Sequence, residues 1–200
     1  MRALSDLTTL VVLNILALLC ALPVITAGAS LAALHYCVMK LRDGDGDLPR
    51  TFLRQWKMNL KYTLPVTAIY LLAIVAVYLD VRIFLHAEGE LSFFLIPVYA
   101  VCFLLVACFC WIFPLMARFE NTFFNTWKNT FILAVGALPK TLGMMFFWFV
   151  ILFVTTQVTA CLPLFFLLGI ALPAYLGTYF YYPTIRNLID KGTKEEVEEE

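Results

Sequence analysis

Charge is scarce in this chain. Asp, Glu, Lys and Arg make up only 14% of its residues, against about 25% in an average soluble domain. Histidine occurs twice. So few basic residues exclude nucleic-acid binding, which depends on many cations meeting phosphates. No Gly-x-x-x-x-Gly-Lys-Ser/Thr loop is present, so the chain itself is not expected to bind or hydrolyse a nucleotide. His-Glu-x-x-His and Gly-x-Ser-x-Gly are also missing, and two histidines are thin material for a catalytic dyad. An enzyme is therefore not expected, nor a metal or other cofactor. Asp43-Gly-Asp45-Gly-Asp47 starts like a calcium loop, but Leu48 stands where that loop needs glycine and Arg54 where it needs glutamate. The six cysteines (Cys20, Cys37, Cys102, Cys108, Cys110, Cys161) lie in apolar stretches and lack the paired spacing of a disulfide framework. They read as small packing residues.

What the chain has in excess is apolar surface. Of its 200 residues, 62% are hydrophobic, more than a soluble globule of this size can hide. About 20 apolar residues make a helix that crosses the ~30 Å hydrocarbon core of a bilayer. Several such runs are present. The fold class is therefore all-α: a polytopic transmembrane helix bundle whose first partner is the lipid. Segments 7–25, 63–85, 91–117, 141–158 and 162–182 read as five full crossings within one domain, 1–186. The acidic tail, 187–200, reads as unstructured.

Segment 29–41 is harder to assign. Thirteen residues rise only about 20 Å as α-helix, short for a crossing. It crosses, re-enters, or extends the first helix. Pro23 breaks the preceding run, with Thr26 expected as a cap and Gly28 as a turn residue. The small pairs Gly28/Ala32 and Ala29/Ala33 favour a hairpin, because small residues let helix backbones approach in lipid. Arg2, the run to Leu22 and Ala27-x-Ala29 imitate a cleaved signal peptide. Asp6 and Asn14 interrupt that pattern and the chain stays apolar beyond Ala29, so a retained helix is expected.

Charge placement gives the orientation. Six of the fourteen Lys and Arg lie between Lys40 and Lys61, three between Arg118 and Lys140, and three between Arg186 and Lys194. Basic loops stay in the cytosol, so these clusters and both termini are expected there. The connection His86–Glu90 has neither Lys nor Arg and belongs outside.

Thr51-Phe-Leu-Arg-Gln-Trp-Lys57 recurs 71 positions later as Thr122-Phe-Phe-Asn-Thr-Trp-Lys128. Each copy is expected on a cytosolic interfacial helix, 49–61 and 120–135, with Trp56 and Trp127 as anchors at headgroup depth. On a helix, Phe123, Phe124, Trp127 and Phe131 share a face, as do Phe52, Leu53, Trp56 and Leu60. Two crossings separate the copies, so the repeat is parallel rather than inverted.

These residues resemble the YesL family, bacterial membrane proteins of unknown function. The likeness rests on Asn14, on Pro23-Val-Ile-Thr26-Ala-Gly28-Ala-Ser-Leu-Ala-Ala33-Leu, and on Phe52-x-x-x-Trp56-Lys57-x-Asn59. Arg118-Phe-Glu-Asn121, Asn129 and Leu138-Pro139-Lys140-Thr141 complete it, over roughly residues 7–145. The resemblance implies a multi-spanning protein of the bacterial cytoplasmic (inner) membrane, associated by gene neighbourhood with carbohydrate uptake and degradation. It carries no activity, substrate or catalytic residue.

Polar groups inside lipid are expensive, so each is a functional candidate. Asn14, His35 and Asp80 are the candidate binding residues for a small solute, with helix-to-helix hydrogen bonding as the bland alternative for Asn14. Arg54, Lys57, Arg118, Glu120 and Lys128 form a candidate cytosolic face for a partner, a transporter subunit or a second copy. The expected role is a non-enzymatic accessory or component of carbohydrate transport. The alternatives are an autonomous small-solute carrier and a structural or lipid-binding membrane protein.

Alkaline phosphatase fusions test the orientation. Activity is expected at Glu88 and Cys161, and none at Gly44, Asn125 or the C-terminus. An active fusion at Gly44 would overturn the charge-based orientation.

Overall fold

The computed structural model describes residues 2–44, 47–86, 95–119, 121–157 and 162–198. The described residues form eight α-helices and no strand: α1 (Arg2–Ala21), α2 (Ala27–Asp43), α3 (Leu48–His86), α4 (Leu95–Arg118), α5 (Phe123–Gly136), α6 (Leu138–Gln157), α7 (Leu162–Leu168) and α8 (Ala171–Glu198). Among the described residues, five stretches are long and apolar enough to cross a membrane: Leu4–Ala21, Val24–Asp43, Leu48–Arg82, Ile96–Arg118 and Leu138–Gln157. The chain is thus an all-α bundle of multi-pass membrane type. The connection expected outside over His86–Glu90, the turn at Cys161, Asp45 of the calcium-like loop and Glu120 lie wholly or partly outside the described residues.

The first two helices form a hairpin. Pro23 ends α1, and a single 3-10 turn, Val24–Thr26, reverses the chain. The Thr26 hydroxyl does not cap α2; it sits 2.6 Å from the Cys20 carbonyl, closing the last turn of α1 instead. Ser30 donates to the Ala17 carbonyl at 2.7 Å, and Thr9 and Val12 lie beside Leu41 around a shared cavity, so the two helices run antiparallel. One long bent helix is therefore not what forms.

Gly28 is not a turn residue either. It lies inside α2, where a Cβ would collide with Thr67 Oγ1 and touch Thr63 Cβ and Phe113 Cε1 at 3.4 Å. Its function is close approach of α2 to α3. Gly28, Ala29, Ser30, Ala32 and Ala33 are all buried, and α2 packs against α1, α3, α4 and α8. Its crossing window is 61% buried, whereas that of α6 is 11% buried. The segment that looked too short to cross is the centre of the bundle. Gly44 ends it at φ 87°, a left-handed geometry natural to glycine, donating to the Lys40 and Leu41 carbonyls.

Three further elements differ from expectation. The interfacial helix at 49–61 is not separate, because α3 continues unbroken into the crossing. Composition shifts from polar to apolar near Thr63, and α3 runs through this junction even though Pro65 lies inside it. By contrast, α5 does end, at Gly136-Ala137, and Pro139 opens α6 in the first turn, where its missing N–H costs nothing. The apolar run 162–182 is divided by a turn at Gly169-Ile170 into α7 and α8. The acidic tail, expected to lack structure, continues α8 to Glu198, in keeping with the high helix propensity of Lys and Glu.

The outward surface is apolar. Leu72, Ile74, Tyr99, Phe146 and Phe149 stand exposed on α3, α4 and α6, as lipid-facing side chains do.

Candidate functional site

Asn14 lies fully buried on α1, and every polar atom of its side chain is engaged. Its Oδ1 accepts from the Ile170 and Ala171 amides, each at 2.8 Å. Its Nδ2 donates to the Phe166 carbonyl at 2.8 Å and lies 3.4 Å from that of Phe165. The Phe166 carbonyl and the Ile170 and Ala171 amides stand at the end of α7 and the start of α8, where helix ends leave backbone groups without intrahelical partners; the Phe165 carbonyl also accepts from the Gly169 amide at 2.7 Å. One carboxamide thus makes a break inside an apolar segment tolerable.

His35, on α2, is buried with its Nδ1 3.0 Å from Tyr181 Oη on α8, the two rings edge to face. Trp111 of α4 donates to the Thr141 hydroxyl at 2.9 Å, which in turn lies 3.0 Å from the Ala134 carbonyl, stitching α4, α6 and α5 together. Asp80, the third candidate, is exposed near the far end of α3. Close by, the Arg82 guanidinium lies 6.0 Å over the Tyr78 ring. Asn14 and His35 therefore answer to different partners, Asp80 stands apart from both, and the three are not brought together around one cavity. Thr155 and Thr156 bond back to carbonyls of their own helix, α6.

Polar groups gather instead at the charged end, where α2 stops, α3 begins, α4 stops and α8 passes. Arg42 lies 4.4 Å over the Tyr179 ring and donates to Thr178 Oγ1 at 3.3 Å. Asp43 accepts from the Tyr182 hydroxyl and pairs with Arg118 at 3.7 Å. Arg118 also stacks 5.2 Å over Tyr36. Lys140 reaches Thr184 of α8 at 2.8 Å. Arg118 thus points inward and is not part of an open partner face, whereas Arg54, Lys57 and Lys128 are exposed. Glu120 lies outside the described residues.

Between α2, α3, α4 and α5 at this end is a cavity of about 390 Å³, inside the roughly 300–1,000 Å³ range of small-molecule sites. Gln55, Asn59 and Tyr62 of α3, Arg118 of α4, and Asn121 and Thr126 beside α5 supply its polar lining. The two repeat copies flank it. Gln55 and Thr126 occupy the same position in their copies, 71 residues apart, and both face the cavity. Their neighbours Trp56 and Trp127 share a second property: each indole nitrogen is buried without a hydrogen-bond partner. Neither N–H is open to a headgroup as an interfacial anchor would be. Trp127 stacks on Tyr70 at 5.9 Å, and Trp56 packs against the core of α1 and α2.

The aromatic faces are used differently in the two copies. Phe52 is wholly buried whereas its counterpart Phe123 is only half-buried, the equivalent Leu53 and Phe124 are both exposed, and α5 turns Thr126, Thr130 and Ala134 inward. Small residues permit close packing in lipid, so aromatic rings are the better choice for the outer face. Tyr182 and Tyr36 carry no signal in the sequence, and Asp43 and Gln55 stand out there only as parts of a calcium-like loop and of the repeat, because only the hairpin and the return of α8 bring the charged end together. A second cavity, about 560 Å³ between α3, α4 and α6, is walled by Tyr70, Ile74, Phe109, Trp148 and other apolar groups, and belongs to the lipid side. Among the described residues no three His, Cys, Asp or Glu side chains group as a metal site requires.

Asn14→Leu is expected to destabilise the protein by about 2 kcal/mol or more, since buried backbone groups lose their partners. Hydrogen exchange should report it locally, with the Ile170 and Ala171 amides exchanging faster while α2 stays protected. Uniform loss of protection would contradict the assignment of Asn14 to that one turn.

No curated protein and no solved structure matches the chain. Residues 10–81 match the model of a family described as "Protein of unknown function, DUF624", a span that holds Asn14, Gly28, His35 and the first repeat copy but stops before Arg118.

Proposed function

We propose that this chain is a non-enzymatic accessory or component of carbohydrate transport in the bacterial cytoplasmic membrane, with both termini in the cytosol and its charged end turned towards a partner. One observation carries the choice of accessory over carrier. The polar side chains buried deep in the bundle, Asn14, His35, Trp111 and Thr141, have their hydrogen bonds within the protein. A secondary carrier holds its substrate near the bilayer midplane, with polar groups aimed into a wet space. Here the accessible polarity lies at one end of the helices. The exposed cations Arg54, Lys57 and Lys128 sit there on the two repeated segments and present a positive surface beside the membrane. The carbohydrate connection is supported by the resemblance to the YesL family and the gene neighbourhoods it implies.

The purified protein alone in liposomes is expected to accumulate no sugar. A photo-crosslinker at Arg54, Lys57 or Lys128 should capture a subunit of a sugar transporter in cells, and one at lipid-facing Leu72 or Phe149 should not. Saturable uptake by the lone protein would replace the accessory with a carrier. Equal capture from all five positions would remove the partner face.

A further inference from the structure

We propose that the cavity between α2, α3, α4 and α5 binds a phosphate ester, with Arg118 as the charge that holds it. The phosphate is that of a membrane phospholipid headgroup or of a soluble phosphorylated molecule presenting the same group. The inference is independent of the transport reading and rests on three features of the site.

Buried donors are the first. Four buried side-chain atoms have no hydrogen-bond partner among the described residues: Trp56 Nε1, Arg118 Nε, Trp127 Nε1 and Thr130 Oγ1. Of these, Arg118 Nε belongs to a residue that lines the cavity, and the other three lie on the neighbouring α3 and α5 without lining it. A buried guanidinium nitrogen is normally paired, so its unmet donor beside a cavity needs an explanation, and an unfilled binding site is one.

Charge is the second feature. No described carboxylate lines the cavity, whereas a guanidinium, three carboxamides and two phenols do. Asp43 pairs with Arg118 by Nη2 at 3.7 Å, a long contact, and shares its carboxylate with Tyr182. It leaves Nε unengaged, and Arg42 next to it restores the positive balance. The start of α5 adds to this: Thr122 makes no side-chain cap, and Asn121 and Thr126 there line the cavity. A guanidinium fork beside uncapped helix amides favours a phosphate oxyanion over a neutral sugar hydroxyl.

Depth is the third. Arg118 is the last residue of the Ile96–Arg118 crossing stretch, which places it at headgroup level. The lining also includes the apolar side chains of Met58, Met116 and Phe119. A guanidinium together with apolar groups at headgroup depth suits the chemistry of a phospholipid.

The full chain in detergent is titrated with phosphatidylglycerol, with glycerol 3-phosphate and with inorganic phosphate, and bound ligand is counted by native mass spectrometry. Saturable binding is expected, weakened at least tenfold by Arg118→Gln and at least threefold by Asn121→Asp. Arg50→Gln, an exposed arginine outside the cavity, should stay within twofold. Asn121 is exposed in the linker before α5, so Asn121→Asp keeps the test decisive if Arg118→Gln fails to fold. Lipid binding that glycerol 3-phosphate does not displace assigns the site to a headgroup; displacement with the same dependence on Arg118 and Asn121 assigns it to a soluble ester. Absence of saturable binding by all three ligands overturns the proposal. So does binding that a folded Arg118→Gln or Asn121→Asp leaves unchanged.

Discussion

In lipid two helices gain little by hiding apolar side chains from one another, because the surrounding tails are equally apolar. What remains is the closeness of their backbones and the many weak dispersion contacts that closeness permits. This bundle meets that constraint through α2. Gly28, Ala29, Ser30, Ala32 and Ala33 give it a surface with almost no side chain, and α1, α3, α4 and α8 close around it. At Gly28 the fit is closest, with Thr67 of α3 standing where a methyl group would be. The positions of Tyr36 and of Asp43 beside Arg118 follow from where α2 is held.

A second constraint follows from the same solvent. A backbone or side-chain polar group facing hydrocarbon is costly, so each departure from regular helix needs its own partner. Thr26 closes the end of α1, and Asn14 closes the gap between α7 and α8 from the opposite end of the chain. Of the donors left unpartnered among the described residues, the one on Arg118 lines the cavity at the charged end, while those on Trp56, Trp127 and Thr130 lie on the adjoining α3 and α5. Polarity in this protein is thus divided. Deep in the bundle it serves architecture, and at the charged end it is available to a ligand.

The bilayer setting was legible because it depends on composition and run length, which need no tertiary contact. The hairpin was legible from Pro23 and the small pairs on α2. That α2 is the hub was not: the segment 29–41 is short for a crossing by its sequence, the helix runs longer, over Ala27–Asp43, and burial is a property of neighbours that no local pattern names. The continuity of α3 is hidden for another reason: a change from polar to apolar residues near Thr63, with Pro65 close behind, imitates a helix boundary, yet α3 runs through both. Asn14 stood out as a buried amide, but its partners at Phe166, Ile170 and Ala171 lie more than 150 positions away. Arg118 was assigned to an outer face because its position at a helix end suited solvent; the pairing with Asp43 that turns it inward needed the hairpin first.

The account depends most on the close packing of α2 against α3, and one double-mutant cycle tests it in the intact protein. Gly28→Ala is expected to lower stability in detergent by about 1–3 kcal/mol, the usual cost of forcing a methyl group into a filled contact. The Thr67→Ala change alone should cost little, since that hydroxyl bonds only to the Thr63 carbonyl of its own helix. Combined, the two changes should recover most of the loss, because Thr67 Oγ1 is the atom in the way. Thermal unfolding of the four proteins reads out the coupling. A Gly28→Ala protein as stable as the parent, or a double variant no better than Gly28→Ala, would contradict the placement of α2 at the centre of the bundle.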